Sequence, residues 1–230
     1  MLIITTYKSV YEFTPIIPYI EDYKTWQQDI NPEKKSRSYE CSMLYVSKPW
    51  MVKNVIDLNI YSDTDIYYWV DFGGMRIIDN IGTWPLNNKV NNLFSGIPND
   101  KLVVTTVSRK MKIKDYIAKG DSMFNYGVNK DDFVIGTFFG GKSESIIWYY
   151  DEFYKLLKLW IQNRKFAGKE QDIMNGLAFR FPDRFLMLDL EGKYKNWEYL
   201  YYNHFWTYLS DGKNKKMKYK PLLQMRNELK

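Results

Sequence analysis

The sequence predicts an α/β fold, a mainly parallel twisted sheet with helices on both faces, and three observations carry that expectation. Short runs of β-branched and aromatic residues recur along the chain, each bounded by polar residues or glycine. Between them lie stretches whose apolar residues fall three and four apart. No internal repeat, no Pro/Gly/Ser linker and no low-complexity block interrupts the alternation. A single domain over residues 1–230 follows, with a basic C-terminal segment from about residue 192.

The strand runs are 2–7, 66–70, 102–107, 133–139 and 185–188. Each is short and almost wholly apolar, the pattern of a strand covered on both sides. One helix begins near Ser47, carries Pro49 in its first turn and turns Val52, Val55 and Ile56 inward. A longer one runs from Ser143, its natural N-cap, to about Arg164, with Ile147, Tyr150, Tyr154, Leu157 and Ile161 on one stripe. A third follows Gly168, with Ile173, Met174 and Leu177 inward. Residues 79–99 and the chain from Gly192 onward are less regular and have room for antiparallel pieces or a lid.

At 45% apolar residues the chain can bury a sizeable core. Tyr, Trp and Phe make up 18%, so aromatic platforms for sugar rings or bases are available as well as core filler. No apolar run reaches membrane-spanning length and the N-terminus lacks a basic n-region, which predicts a soluble, cytoplasmic protein. Cys41 is the one cysteine, so no intrachain disulfide can form. Residues 192–230 hold nine Lys/Arg against Glu198, Asp211 and Glu228, which accounts for the whole net charge of +6. A solvated terminus is the plain reading of this tail. Peripheral contact with anionic lipid is the alternative, and nucleic acid is not an expected partner.

In an open sheet of this kind ligands bind outside the carboxyl ends of the strands, and that rule selects the candidate sites. Asp71 ends the strand 66–70 and is followed by Gly73, Gly74 and Arg76, so a carboxylate faces the ligand edge beside backbone that a ligand can approach closely. Asp63-Thr64-Asp65 spells the D-x-D pattern that holds Mn²⁺ or Mg²⁺ against a diphosphate. It lies at the amino end of the same strand, so it reads as a turn, and any metal is placed at Asp71.

The run from Gly136 to Ser143 satisfies the phosphate-loop expression G-x-x-x-x-G-K-S, with Asp189 as the matching Walker-B carboxylate. Thr137-Phe138-Phe139 is bulky filling for such a loop, and the chain left after it is short for the usual sheet. The alternative is a Gly140-Gly141 turn at a helix start, which would receive a hydroxyl-rich or anionic ligand. Glu170, Gln171 and Asp172 open the third helix, where acidic groups suit the helix dipole and also suit work on an acceptor hydroxyl. His204, the single histidine, reads as a packed aromatic neighbour, with a metal shared with Asp71 as the alternative.

Four fragments resemble, in order, those of the HtrL/YibB-like (WlaTC) proteins, relatives of glycosyltransferases of the GT-A fold. Ser47-Lys48-Pro49-Trp50 resembles the family's K-P helix start, and Trp69-Val70-Asp71-Phe72-Gly73-Gly74-Met75-Arg76 its W-I-D-A-G-x-x-R strand. Gly136-Thr137-Phe138-Phe139-Gly140-Gly141 is similar to its G-G-F-F-G-G element, and Glu170-Gln171 to the end of its D-E-Q. The resemblance implies a GT-A-like nucleotide-sugar-binding fold and transfer of a sugar from a nucleotide diphosphate sugar to a glycan or glycoconjugate hydroxyl, with Mn²⁺ or Mg²⁺ as candidate cofactor. It implies Asp71 at metal or ribose-diphosphate, Arg76 or Lys48 against phosphate, and Gly140-Gly141 under the donor sugar. Glu170 stands at the reacting centre by likeness to retaining galactosyltransferases of the blood-group type, with Asp172 beside it. A catalytically silent glycan- or nucleotide-binding module and a phosphate-loop NTPase are the competing readings.

Overall fold

The computed structural model describes residues 7–59, 61, 63–71, 87–106, 134–190 and 217–221. The chain enters through two 3₁₀ turns, Val10–Glu12 and Ile17–Tyr19, and a helical stretch whose middle, Tyr23–Gln27, is π-helical. Helices α1 (Tyr39–Val46) and α2 (Lys48–Asp57) meet at Ser47, whose hydroxyl donates back to the Met43 carbonyl at 2.7 Å. Pro49 sits in the first turn of α2, where its missing N–H costs no hydrogen bond. Then come β1 (Ile66–Val70), α3 (Asn87–Phe94), β2 (Leu102–Thr106) and β3 (Val134–Lys142). The long α4 (Ser143–Gln162), α5 (Glu170–Arg180), β4 (Phe185–Leu190) and β5 (Met217–Pro221) complete the described chain.

The five strands form one sheet in the order β1-β3-β2-β4-β5. Its direction corrects the expectation of a mainly parallel sheet. β1–β3, β2–β3 and β4–β5 are antiparallel, and β2–β4 alone is parallel. The parallel pair is the one whose connection includes α4 and α5, long enough for the crossover that parallel strands need. Apolar runs reveal burial but not direction, so the composition of these strands fits either arrangement.

Side-chain alternation separates the two faces of the sheet. Leu102 and Val104 of β2, Val134 and Phe139 of β3, and Phe185 and Met187 of β4 enter one core with α1, α2, α4 and α5. On α5 this core takes Ile173, Met174 and Leu177, as expected. On the opposite face Phe94 of α3 stacks on Tyr68, 6.1 Å between ring centroids. On α4 the buried stripe is Ile146, Tyr149, Phe153, Leu156, Leu157, Trp160 and Ile161, whereas Ile147 is exposed. Leu157 and Ile161 are buried as expected, whereas at Ile146-Ile147 two stripes fit the same spacing and packing took Ile146. Tyr150 and Tyr154 pack at the edge of this core beside α1 and α2, Tyr154 donating to the Val46 carbonyl of α1 at 2.8 Å and Lys53 of α2 lying over the Tyr150 ring.

The start of α4 also differs from expectation. Lys142 occupies the N-cap position, and the cap comes from elsewhere in the chain: the Asp65 carboxylate accepts from the Ser143 N–H at 3.2 Å and from its hydroxyl. Asp65 therefore ties the amino end of β1 to α4, which supports reading Asp63-Thr64-Asp65 as a turn. No helix among the described residues is long and apolar enough to cross a membrane. The run 2–6 and most of the basic tail, His204 included, lie outside the described residues.

Candidate functional site

Where β2 and β3 pair, the register slips. Phe139 lies opposite Val104 but Ile135 opposite Thr105, so Gly136, Thr137 and Phe138 bulge out of the ladder. The bulge lies beside the carboxyl end of β1, where the Asp71 N–H donates to the Thr137 carbonyl at 2.9 Å. Two side chains one turn apart on α5 take up N–H groups of this part of β3. Gln171 Oε1 accepts from Gly136 N at 3.0 Å, and Asn175 Oδ1 from Val134 N at 2.8 Å.

Lys48, the first residue of α2, reaches into this junction. Its Nζ donates to Asp71 Oδ2 at 2.8 Å, to Glu170 Oε1 at 2.5 Å and to the Gly136 carbonyl at 3.1 Å. Three acceptors use all three ammonium hydrogens. The rings of Tyr45 and Trp69 flank the charge at 5.2 and 5.8 Å. The other Asp71 oxygen accepts from the Trp69 indole N–H at 2.6 Å, which fixes the carboxylate in plane and direction. Gly136 is the residue that makes this fit: a Cβ there would collide with the Glu170 carboxylate.

The cluster is graded from interior to surface. Lys48 and Glu170 have side chains 3% and 8% exposed, while that of Asp71 is 26% exposed. Burial alone would pull the lysine down, but Glu170 and Asp71 overcome it and hold the ammonium above its ordinary value. Burial likewise raises the Glu170 carboxyl, and Lys48 offsets this only in part. The two directions have different causes, burial for Glu170 and the paired carboxylates for Lys48; with every member ionised the cluster carries two negative charges and one positive.

Several expected roles change with this geometry. Lys48 is engaged on both carboxylates, so it is not placed to counter a phosphate. Gly140 and Gly141 do not form a turn. They continue β3, with Gly140 packed under Tyr68 and Phe94 and Gly141 against Ser145 and the Lys101 carbonyl. Gly136–Lys142 is extended throughout and Lys142 Nζ donates to Asn99 Oδ1 at 2.7 Å, so the segment is not a phosphate loop. Asp172 is buried in the first turn of α5, its N–H bonded to the Lys169 carbonyl at 3.1 Å. A divalent metal on Asp71 does not fit this arrangement, because an ammonium already fills the space between the two carboxylates. Among the described residues no three His, Cys, Asp or Glu are placed to hold a metal ion. Gly73, Gly74, Arg76 and His204 lie outside the described residues.

Two contributors were missed in the sequence. Trp69 reads as strand filler, and nothing in its spacing shows that its N–H orients Asp71. The π-helical turn supplies the other: Tyr23 donates to the Ala167 carbonyl at 2.8 Å, and Gln27 bonds both Lys165 O and Ala167 N at 2.8 Å. These bonds fix the segment that delivers Glu170. Gly136 carried a legible signal, a glycine inside an apolar strand, which marks close approach of another group.

Compared with protein-family models, with curated proteins and with solved structures, the chain matches none.

Proposed function

We propose that this protein transfers a glycosyl unit from a nucleotide diphosphate sugar to a hydroxyl acceptor, and that Asp71 is its ligand-facing carboxylate. One observation carries the reading. The four fragments that resemble the glycosyltransferase-like family are spread over more than a hundred residues, yet Asp71, Gly136 and Glu170 meet around the Lys48 ammonium, with Gln171 on the Gly136 N–H. Core packing alone has no need to gather these positions at the carboxyl end of a strand.

The net negative charge of the cluster selects how a ligand meets it. A diphosphate would be repelled, whereas a sugar or ribose hydroxyl can donate to the remaining lone pairs of Asp71. Lys48 and Trp69 hold the carboxylate in place before the ligand arrives, which limits the ordering cost of binding. Glu170 acts through Lys48 as a positioning residue rather than by touching the substrate. The segment after Asp71, with Arg76, is the candidate for the phosphates.

The test is a steady-state comparison with UDP- and GDP-linked sugars, scored as transfer or slow donor hydrolysis. Asp71→Asn should weaken donor binding, whereas Glu170→Gln should keep donor affinity and lower kcat by about 10²-fold through misplacement. Equal small losses in both variants would contradict the reading. A second reading, a binding module without transfer, is favoured by the mutual neutralisation of Lys48 and Glu170 in the interior. It predicts donor protection with no turnover on any acceptor.

A further inference from the structure

The oxygen set around Lys48 is that of a cation site. Asp71 Oδ2, Glu170 Oε1 and the Gly136 carbonyl converge on Nζ at 2.8, 2.5 and 3.1 Å. Two carboxylates and a backbone carbonyl are hard donors of the kind that hold Mn²⁺, Mg²⁺ or Ca²⁺. The group at their centre is an ammonium on a helix terminus, delivered by α2 and held between two aromatic rings.

We propose that Lys48 Nζ is the resident cation of this site, filling the position between two carboxylates that a divalent metal would take, so that the protein binds its ligand without metal. The charge that a metal would bring by diffusion is built into the chain. Its position is set by the α2 N-terminus and the β3 bulge rather than by coordination geometry. The proposal rests on the reading of the cluster as the ligand site, and it deepens that reading by naming the site's cation. Its test reads metal binding alone, so either can fail while the other stands.

The probe is Mn²⁺ without any sugar nucleotide, followed by thermal denaturation and isothermal calorimetry. Wild-type protein should show no Asp71-dependent Mn²⁺ binding. Lys48→Ala and Lys48→Ser, which keep the three oxygens and vacate the centre, should gain an Mn²⁺ site. At Mn²⁺ near 100 Kd the midpoint should rise by about 5–10 °C. Adding Asp71→Asn to either variant should abolish the gain. A variant that folds only when Mn²⁺ is supplied supports the proposal as a raised midpoint does. Mn²⁺ binding to wild type that Asp71→Asn removes would overturn the proposal, as would Lys48 variants, folded or not, that Mn²⁺ does not help.

Discussion

A lysine at the first position of a helix faces the positive end of the helix dipole, and Lys48 does so with its side chain 3% exposed. Two carboxylates offset that cost, and removing the ammonium leaves both without their counter-charge. Lys48→Met should therefore destabilise the fold by about 3–5 kcal/mol, the usual cost of breaking a buried pair from one side, read as a urea midpoint. Glu170 gives the pH dependence. Its proton is held more tightly folded than unfolded, so its contribution to stability is fully present below its ordinary value of 4.5 and is lost as pH rises through the raised one. Lys48 acts in the same direction at alkaline pH, its contribution fading above its ordinary 10.5. Unfolding curves from about pH 4 to about pH 8 should show wild type losing stability relative to Glu170→Gln. A rising difference would contradict the assignment. Asp71 and Glu170 were legible as candidates because strand ends and helix starts follow from pattern. The partnership of Lys48 with both was not, since side chains 122 residues apart share no local signal.

At the level of elements, the sheet register and the helix starts depend on side chains from distant segments. Gly136→Ala places a methyl group on the Glu170 carboxylate at the bulge, and overpacking of this kind costs about 1–3 kcal/mol. Asp65→Ala removes the cap of α4 and should cost about 0.5–2 kcal/mol in thermal denaturation. The exposed Asp63→Ala should fall within about 0.5 kcal/mol of wild type. Equal effects, or a loss of metal binding in both, would restore the D-x-D reading. Element existence was readable where apolar runs were bounded by polar residues or glycine, as at β1, β2 and β4, or opened on proline, as at α2. α1 and the π-helical turn were missed, because their short apolar spacing is broken by polar residues that work as hydrogen-bond clamps, Gln27 among them. The phosphate-loop match shows the limit of a motif: its letters fit, while Val134–Lys142 forms a strand paired on both sides.

For the whole molecule, α/β class and burial followed from composition and alternation, whereas strand direction did not. Direction depends on which connections cross the sheet, and among the described residues the β3-to-β4 stretch supplies the two helices α4 and α5. The mixed order still brings the carboxyl end of β1 beside the bulge of β3 and the start of α5, which is what assembles the cluster. We propose that this junction receives a nucleotide sugar through Asp71. The deciding experiment is thermal denaturation of wild type and Asp71→Asn with UDP- or GDP-linked sugars, with ATP–Mg²⁺ and without ligand. A nucleotide sugar at about 100 Kd should stabilise wild type by roughly 2.7 kcal/mol, ATP–Mg²⁺ should do less, and Asp71→Asn should lose the gain. Protection by ATP–Mg²⁺ alone, or nucleotide-sugar protection equal in wild type and Asp71→Asn, would contradict the account.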